Sequence, residues 1–216
     1  MSDSDPITIY SDYVCPFCYL GRKSLAEYQA EREDTLEIDW RPFDLRSGKR
    51  NPDGTIDHSA DDGKDDDYYA QARENVERLQ EQYDADMAQT IATDVDSRPA
   101  QAVSFHLKET EPYETWLAFD EAVFEALWTD GRDIGDAAVL RDCAEAADVD
   151  PAVVVAVLGE TESTDIDSDA HFADLDDRFE AAQRQGITGV PTFVYGGHAA
   201  RGAVPPAQLR RLVEGA

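Results

Sequence analysis

Lysine is nearly missing from this sequence: 4 of its 19 basic residues are Lys, and they face 47 Asp and Glu. The net charge of -28 repels the phosphates of nucleic acid and the headgroups of anionic membranes, so neither is expected as a partner. Cysteine is scarce as well. Three unevenly placed Cys residues cannot build a structural disulfide framework. No apolar run is long enough to span a bilayer. The opening residues Met1-Ser2-Asp3-Ser4-Asp5-Pro6 have neither the basic start nor the apolar stretch of a secretory signal. A cytoplasmic location is therefore expected.

The acidic excess is spread along the chain rather than gathered in a tail, so it is a property of the whole surface. A hydrophobic content of 42%, with 9% aromatics and clear periodicity, argues for a packed fold over disorder. The composition reads as adaptation to a high-salt cytoplasm, where salt screens repulsion between carboxylates to about 3 Å at 1 M. With 216 residues, the chain can bury one sizeable core, with or without an insertion.

Cys15-Pro16-Phe17-Cys18 is the stretch around which the rest is arranged. Before it, Ile7-Thr8-Ile9-Tyr10 alternates as a strand; after it, Cys18, Gly21, Leu25 and Tyr28 recur at helical spacing. Cys18 then lies on the packed face. Cys15 stands exposed at the helix mouth, among unpaired N–H groups that favour an anion. Asp12 would oppose a thiolate there if it faced Cys15.

A second strand is expected at Leu36, Ile38 and Trp40. Residues 46–64 read as a solvated acidic loop; its one calcium-like pattern fails because His58 and Ala60 fall where the first ligands belong. From Tyr68 to about Gln185 the pattern is helical. Tyr69, Val76, Leu79 and Tyr83 mark one stripe, and Trp116, Leu117, Val123, Phe124, Leu127 and Trp128 a strongly apolar one. Leu140, Cys143, Ala144 and Ala147 share a third face, which makes Cys143 a buried hydrophobe rather than a third redox thiol.

Asp150 and Pro151 open a further helix as N-cap and first residue, and Phe172, Leu175, Phe179 and Ala182 line the last helix before Gly186. Then Thr192–Tyr195, a Gly196-Gly197 turn and His198–Val204 form a hairpin, and Pro205-Pro206 starts a terminal helix. The division is thus 1–64 with 187–216 for the sheet-bearing part, and 65–186 for inserted helices. The four histidines fall on helix or turn surfaces and none is assigned a role.

Two thiols three positions apart at a strand-to-helix junction are a redox pair in outline. Zinc would need two further ligands at metal spacing, which Cys143 and the scattered histidines do not supply, so no metal is assigned.

Strand, C-P-x-C, helix and a distant Gly189-Val190-Pro191-Thr192-Phe193 opening a hairpin resemble the thioredoxin superfamily, and the inserted helices resemble its DsbA-like members. Trp40-Arg41-Pro42-Phe43 and Gly186 to Phe193 are similar to the FrnE-like dithiol-disulfide isomerases and to the 2-hydroxychromene-2-carboxylate isomerases. The resemblance implies an α/β thioredoxin-like fold with a large all-helical insertion. It also implies a cis peptide at Pro191, and substrate contacts from Pro16, Phe17, Val190, Pro191 and Thr192.

Two departures stand out. Phe17 replaces the histidine that DsbA carries between its cysteines, which weakens the case for strong oxidising power. Pro99-Ala100-Gln101 replaces the Asn-Ser or Asn-Thr that usually follows a proline in the FrnE-like insert. Three readings follow. The first is a thiol-disulfide oxidoreductase or isomerase with Cys15 as nucleophile and Cys18 as resolving thiol, acting on a thiol- or disulfide-bearing protein or small molecule without a bound cofactor. The second is a glutathione-dependent isomerase of a small aromatic substrate, and the third a non-catalytic binding module.

Overall fold

The computed structural model describes residues 5–57, 59–61, 63–161 and 166–215. His58 and Asp62 of the acidic loop, like the first four residues, lie outside the described set. Strand β1 (Ile7–Ser11) pairs in parallel with β2 (Ile38–Pro42), Ile9 opposite Trp40. On its other side β1 pairs antiparallel with β3 (Thr192–Tyr195), which carries β4 (His198–Arg201) at the edge. The order is β2-β1-β3-β4. The first strand is therefore central, and its buried Ile7 and Ile9 explain the apolar alternation that marks it. Because β3 runs against β1 with Tyr10 opposite Thr192, the residues just after β1 and just before β3 emerge at one end of the sheet. That end holds the site.

Helix α1 (Pro16–Ala30) starts with Pro16 in its first turn, where a missing N–H costs nothing, and buries Cys18, Gly21, Leu25 and Tyr28. Gly21 sits there for space: a Cβ would lie 3.1 Å from Pro191 Cγ and 3.2 Å from Phe193 Cζ. The helix can thus lie directly on the start of β3. The β3–β4 turn uses Gly196 and Gly197, both at positive φ (56° and 80°), the conformation a two-residue hairpin turn of this hand demands. Strand β4 ends at Arg201, three residues short of the expected Val204, because Gly202 turns the chain at φ 84°.

Between β2 and β3 lie α2 (Asp66–Gln82), α3 (Arg98–Thr110), α4 (Tyr113–Trp128), α5 (Ala137–Ala146), α6 (Ala152–Val157) and α7 (Ser168–Arg184); α8 (Pro206–Glu214) closes the chain. Short acidic caps set several starts. Asp65, Asp136 and Asp167 accept from the N–H of Tyr68, Ala138 and Ala170. Helix α6 begins one residue later than expected: Asp150 accepts from Ala152 N–H at 2.9 Å, with Pro151 in the cap position. Cys143 is buried, and burial pushes its thiol up to about 11. Among the described residues no helix is long and apolar enough to cross a membrane.

One buried cluster runs without a break from Ile7, Ile9 and Trp40 of the sheet through Leu107, Trp116, Phe124 and Trp128 of the inserted helices. At its centre is a polar knot. The Tyr13 hydroxyl lies 2.8 Å from Ser104 Oγ and 2.9 Å from Asp120 Oδ1, and Arg22 on α1 pairs with Asp120 at 2.8 Å. Trp116 Nε1 donates to Ser104 Oγ and Trp128 Nε1 to the Tyr13 carbonyl. Two of the histidines depart from the surface placement read in the sequence: His106 and His171 are half-buried between α3 and α7, where His171 stacks on Phe105. The apolar stripes of these two helices close around them.

Candidate active site

The bend after β1 delivers Cys15 to the first turn of α1. Its N–H donates to the Asp12 carbonyl, and its own carbonyl accepts from Cys18 and Tyr19 as the helix begins. Cys18, one helical turn on, is 1% exposed, and burial first, then the neighbouring Cys15 thiol, push it well above the ordinary thiol range. Cys15 corrects the expected exposure: it is only 3% exposed. The far end of the chain reaches it: the Cys15 thiol donates to the Val190 carbonyl at 3.5 Å. The Val190–Pro191 peptide is cis.

Cys15 nevertheless forms part of the wall of a cavity of about 530 Å³. Pro16, Phe17 and Val190 line it too. Pro191 and Thr192 do not. Both are buried behind the wall, Pro191 against α1 at Gly21, and Thr192 donating from its hydroxyl to the Gly189 carbonyl at 2.7 Å. Pro99-Ala100-Gln101 also lies elsewhere; Gln101 is buried and donates to the Phe43 carbonyl.

The opposite wall is the segment read as a solvated loop. Arg46, Gly48, Lys49, Asp61 and Lys64 of that loop line the cavity, together with Leu45 just before it, Tyr68, Tyr69 and Ala72 of α2 and residues 91–93. The loop is held there because Ser47–Lys49 forms a single 3-10 turn and Arg50 is clamped between the carboxylates of Asp44 and Asp96, at 2.5 and 2.9 Å. Arg46 donates to the Ala92 and Thr93 carbonyls. None of this has a periodic signature, so the wall escapes sequence reasoning; the positive charges inside an acidic stretch are its only trace.

Asp12 turns away from a direct contact with Cys15. It is fully buried; Oδ1 accepts from Ser97 Oγ at 2.5 Å and Val14 N–H at 3.2 Å, and Oδ2 from Leu45 N–H at 2.8 Å. One carboxylate thus ties the approach to α1, the loop wall and the start of α3. Burial, then the nearby Asp44 carboxylate, outweigh those donors and raise Asp12 to about 6. The folded protein therefore binds the Asp12 proton more tightly than the unfolded chain, and this carboxyl's contribution to stability is lost as pH rises from 3.8 through about 6. Asp12→Asn removes that dependence. Urea midpoints should show wild type losing about 1–2 kcal/mol relative to the variant between pH 5 and pH 7.5; a constant difference would refute the assignment.

The family model of the DSBA-like thioredoxin domain matches residues 6–214. The chain belongs to the DsbA-like thioredoxin-domain family. The chain is 28% identical over 191 residues to the uncharacterized protein YwbO of Bacillus subtilis (strain 168), spanning 88% of this chain and 86% of that protein. Two solved structures show the same fold. A probable DsbA oxidoreductase from Streptomyces coelicolor superposes with a TM-score of 0.73 at 23% identity, covering 97% of this chain and 90% of that one. A 2-hydroxychromene-2-carboxylate isomerase superposes with a TM-score of 0.72 at 19% identity, covering 97% and 93%. The likenesses run through the inserted helices as well as the sheet, as a DsbA-like architecture requires.

Proposed function

We propose that this protein exchanges thiols and disulfides, with Cys15 as the attacking and Cys18 as the resolving thiol. The observation that carries the reading is the unequal placing of two thiols on one helical turn: Cys15 on a cavity wall, Cys18 buried behind it. In the reductive direction, Cys15 as thiolate attacks one sulfur of a substrate disulfide. The S–S bond breaks, one substrate thiolate leaves, and a mixed disulfide remains on Cys15. Cys18 then attacks Cys15 Sγ, its proton passing to the second departing sulfur. The protein ends as the Cys15–Cys18 disulfide and the substrate as two thiols. The main-chain N–H of Asp12 hydrogen-bonds Cys18 and favours its thiolate, a small offset to burial. Run backwards, the same steps oxidise a dithiol.

The acidic surface supports a protein at home in a high-salt cytoplasm, and the motifs around Trp40 and Pro191 support the FrnE-like branch of the family. The intact thiol pair favours exchange over a glutathione-dependent isomerisation, which has no use for Cys18.

Equilibration in dithiothreitol redox buffers containing multimolar KCl tests the reading. Trapping the thiols and mapping them should show one reversible Cys15–Cys18 disulfide per chain. Its potential should lie nearer thioredoxin, about −270 mV, than DsbA, about −120 mV, because Phe17 puts no cation between the cysteines. If the two thiols never interconvert, exchange is not the function.

A further inference from the structure

Resting on that exchange chemistry, we propose that helix α4 positions the dithiol: its Asp120, Phe124 and Trp128 grip the residues on both sides of Cys15-Pro16-Phe17-Cys18 and set how readily Cys18 meets Cys15. The three recur at i, i+4 and i+8, so they share one face of α4, and all are buried. Before the motif the grip is on Tyr13. Its hydroxyl lies 2.9 Å from Asp120 Oδ1, its ring meets Phe124 edge-on with centroids 4.8 Å apart, and its carbonyl accepts from Trp128 Nε1 at 2.8 Å. After the motif the same three residues reach the first turns of α1. Arg22 pairs with Asp120 at 2.8 Å, and the Tyr19 ring lies 6.2 Å from Phe124 and is stacked 6.5 Å from Trp128. Thr129, next along the chain, holds the Tyr19 hydroxyl at 3.1 Å.

The two sulfurs belong to different pieces of backbone. Cys15 caps the helix in an extended conformation, φ -92° and ψ 111°, and its place depends on the bend after β1; Cys18 is inside α1 and moves with it. One helix that binds both pieces fixes their relation. In the second half of the exchange, Cys18 as thiolate attacks Cys15 Sγ, the bond to the substrate sulfur breaks, and that sulfur leaves with the Cys18 proton. The equilibrium of this step measures the effective concentration of one thiol at the other, which rises when both partners are held in reacting geometry. Filling space would require only rings at positions 13 and 128. Here each ring also carries a polar atom bonded between α4 and the bend, the Tyr13 hydroxyl and the Trp128 N–H.

Tyr13→Phe and Trp128→Phe each keep an aromatic ring and delete that atom. Wild type, both single variants and the double variant are equilibrated with 2-mercaptoethanol and its disulfide, at a salt concentration at which circular dichroism shows each folded. Alkylation then counts the Cys15–Cys18 disulfide. The same titration in the Cys18→Ser background gives the mixed disulfide on Cys15, and the ratio of the two constants is the effective concentration of Cys18. That ratio should fall about threefold in each single variant and about tenfold in the double variant, raising the potential of the couple by about 30 mV. The constants in the Cys18→Ser background should not move. Val154→Ala truncates a fully buried residue of α6, which packs on α3, α5 and α7; it should lower the melting temperature and leave the ratio alone. An unchanged ratio in the double variant overturns the proposal, and so does an equal fall in Val154→Ala, which would make the effect one of general loosening. If the double variant does not fold, the two single variants decide by the same ratio. A wild type that forms no Cys15–Cys18 disulfide at any buffer ratio removes the exchange function itself, which is a separate result.

Discussion

Cys15→Ser should stop disulfide exchange, with a loss of at least about a thousandfold, because a serine hydroxyl at neutral pH is no substitute for a thiolate. Cys18→Ser should behave differently. Its Cys15 still lines the cavity, so the first attack proceeds and the substrate fragment stays attached, with nothing behind it to expel the second sulfur. Intact-mass spectrometry after brief incubation with a small disulfide should find one adduct per chain in Cys18→Ser, mapping to Cys15, and none in Cys15→Ser beyond that of the folded Cys15→Ser, Cys18→Ser double variant. An adduct on Cys18 in the Cys15→Ser protein, formed at the wild-type rate, would exchange the two roles. The asymmetry follows from placement: Cys15 lines the cavity and Cys18 does not, and burial keeps the proton on the Cys18 thiol.

Arg22→Ala should be the most destabilising single change outside the apolar core, at about 3–5 kcal/mol. Asp120 is fully buried, and Arg22, 2.8 Å away with only 12% of its side chain exposed, is the cation that faces it. Removing that cation leaves a carboxylate supported, among the described residues, by the Tyr13 hydroxyl alone. Even with Arg22 present, burial holds Asp120 above the ordinary carboxylate range, so its contribution to stability already declines as pH rises through its folded pKa. The variant should show this more steeply and recover part of its loss in acid. Chemical denaturation of wild type, Arg22→Ala, Asp120→Asn and the double variant measures the coupling. The double variant should be more stable than Arg22→Ala alone. A cost below about 1 kcal/mol would put the pair with exposed salt bridges and refute its description as buried.

Most of the frame was legible because it is periodic. Alternation at Ile7 and Ile9, the stripe from Cys18 to Tyr28, and the Trp116–Trp128 face each announce which side is buried, and tertiary packing agrees with them. The hairpin was legible for another reason: two adjacent glycines allow a turn that other residue pairs resist. The site was readable only on the side contributed by local sequence. Whether Cys15 is open to solvent depends on Val190, brought over it by an antiparallel pairing that no local pattern encodes. The direction of Asp12 likewise depends on Leu45 and Ser97, distant partners with no periodic mark. Thr192 shows the reverse case: it adjoins the cis peptide in sequence, but its hydroxyl is spent on the Gly189 carbonyl and takes no part in lining the cavity.

The clamp of Arg50 between Asp44 and Asp96 has an evolutionary side. It fastens the chamber wall at its root, while the described residues of the stretch beyond, 51–64, include no member of the continuous apolar cluster. The thiols are rooted in β1 and α1, at the centre of that cluster. Selection can therefore rewrite what the chamber admits by altering one weakly committed segment, with little penalty to folding and none to the sulfur chemistry. A lineage built this way can change its diet without changing its teeth.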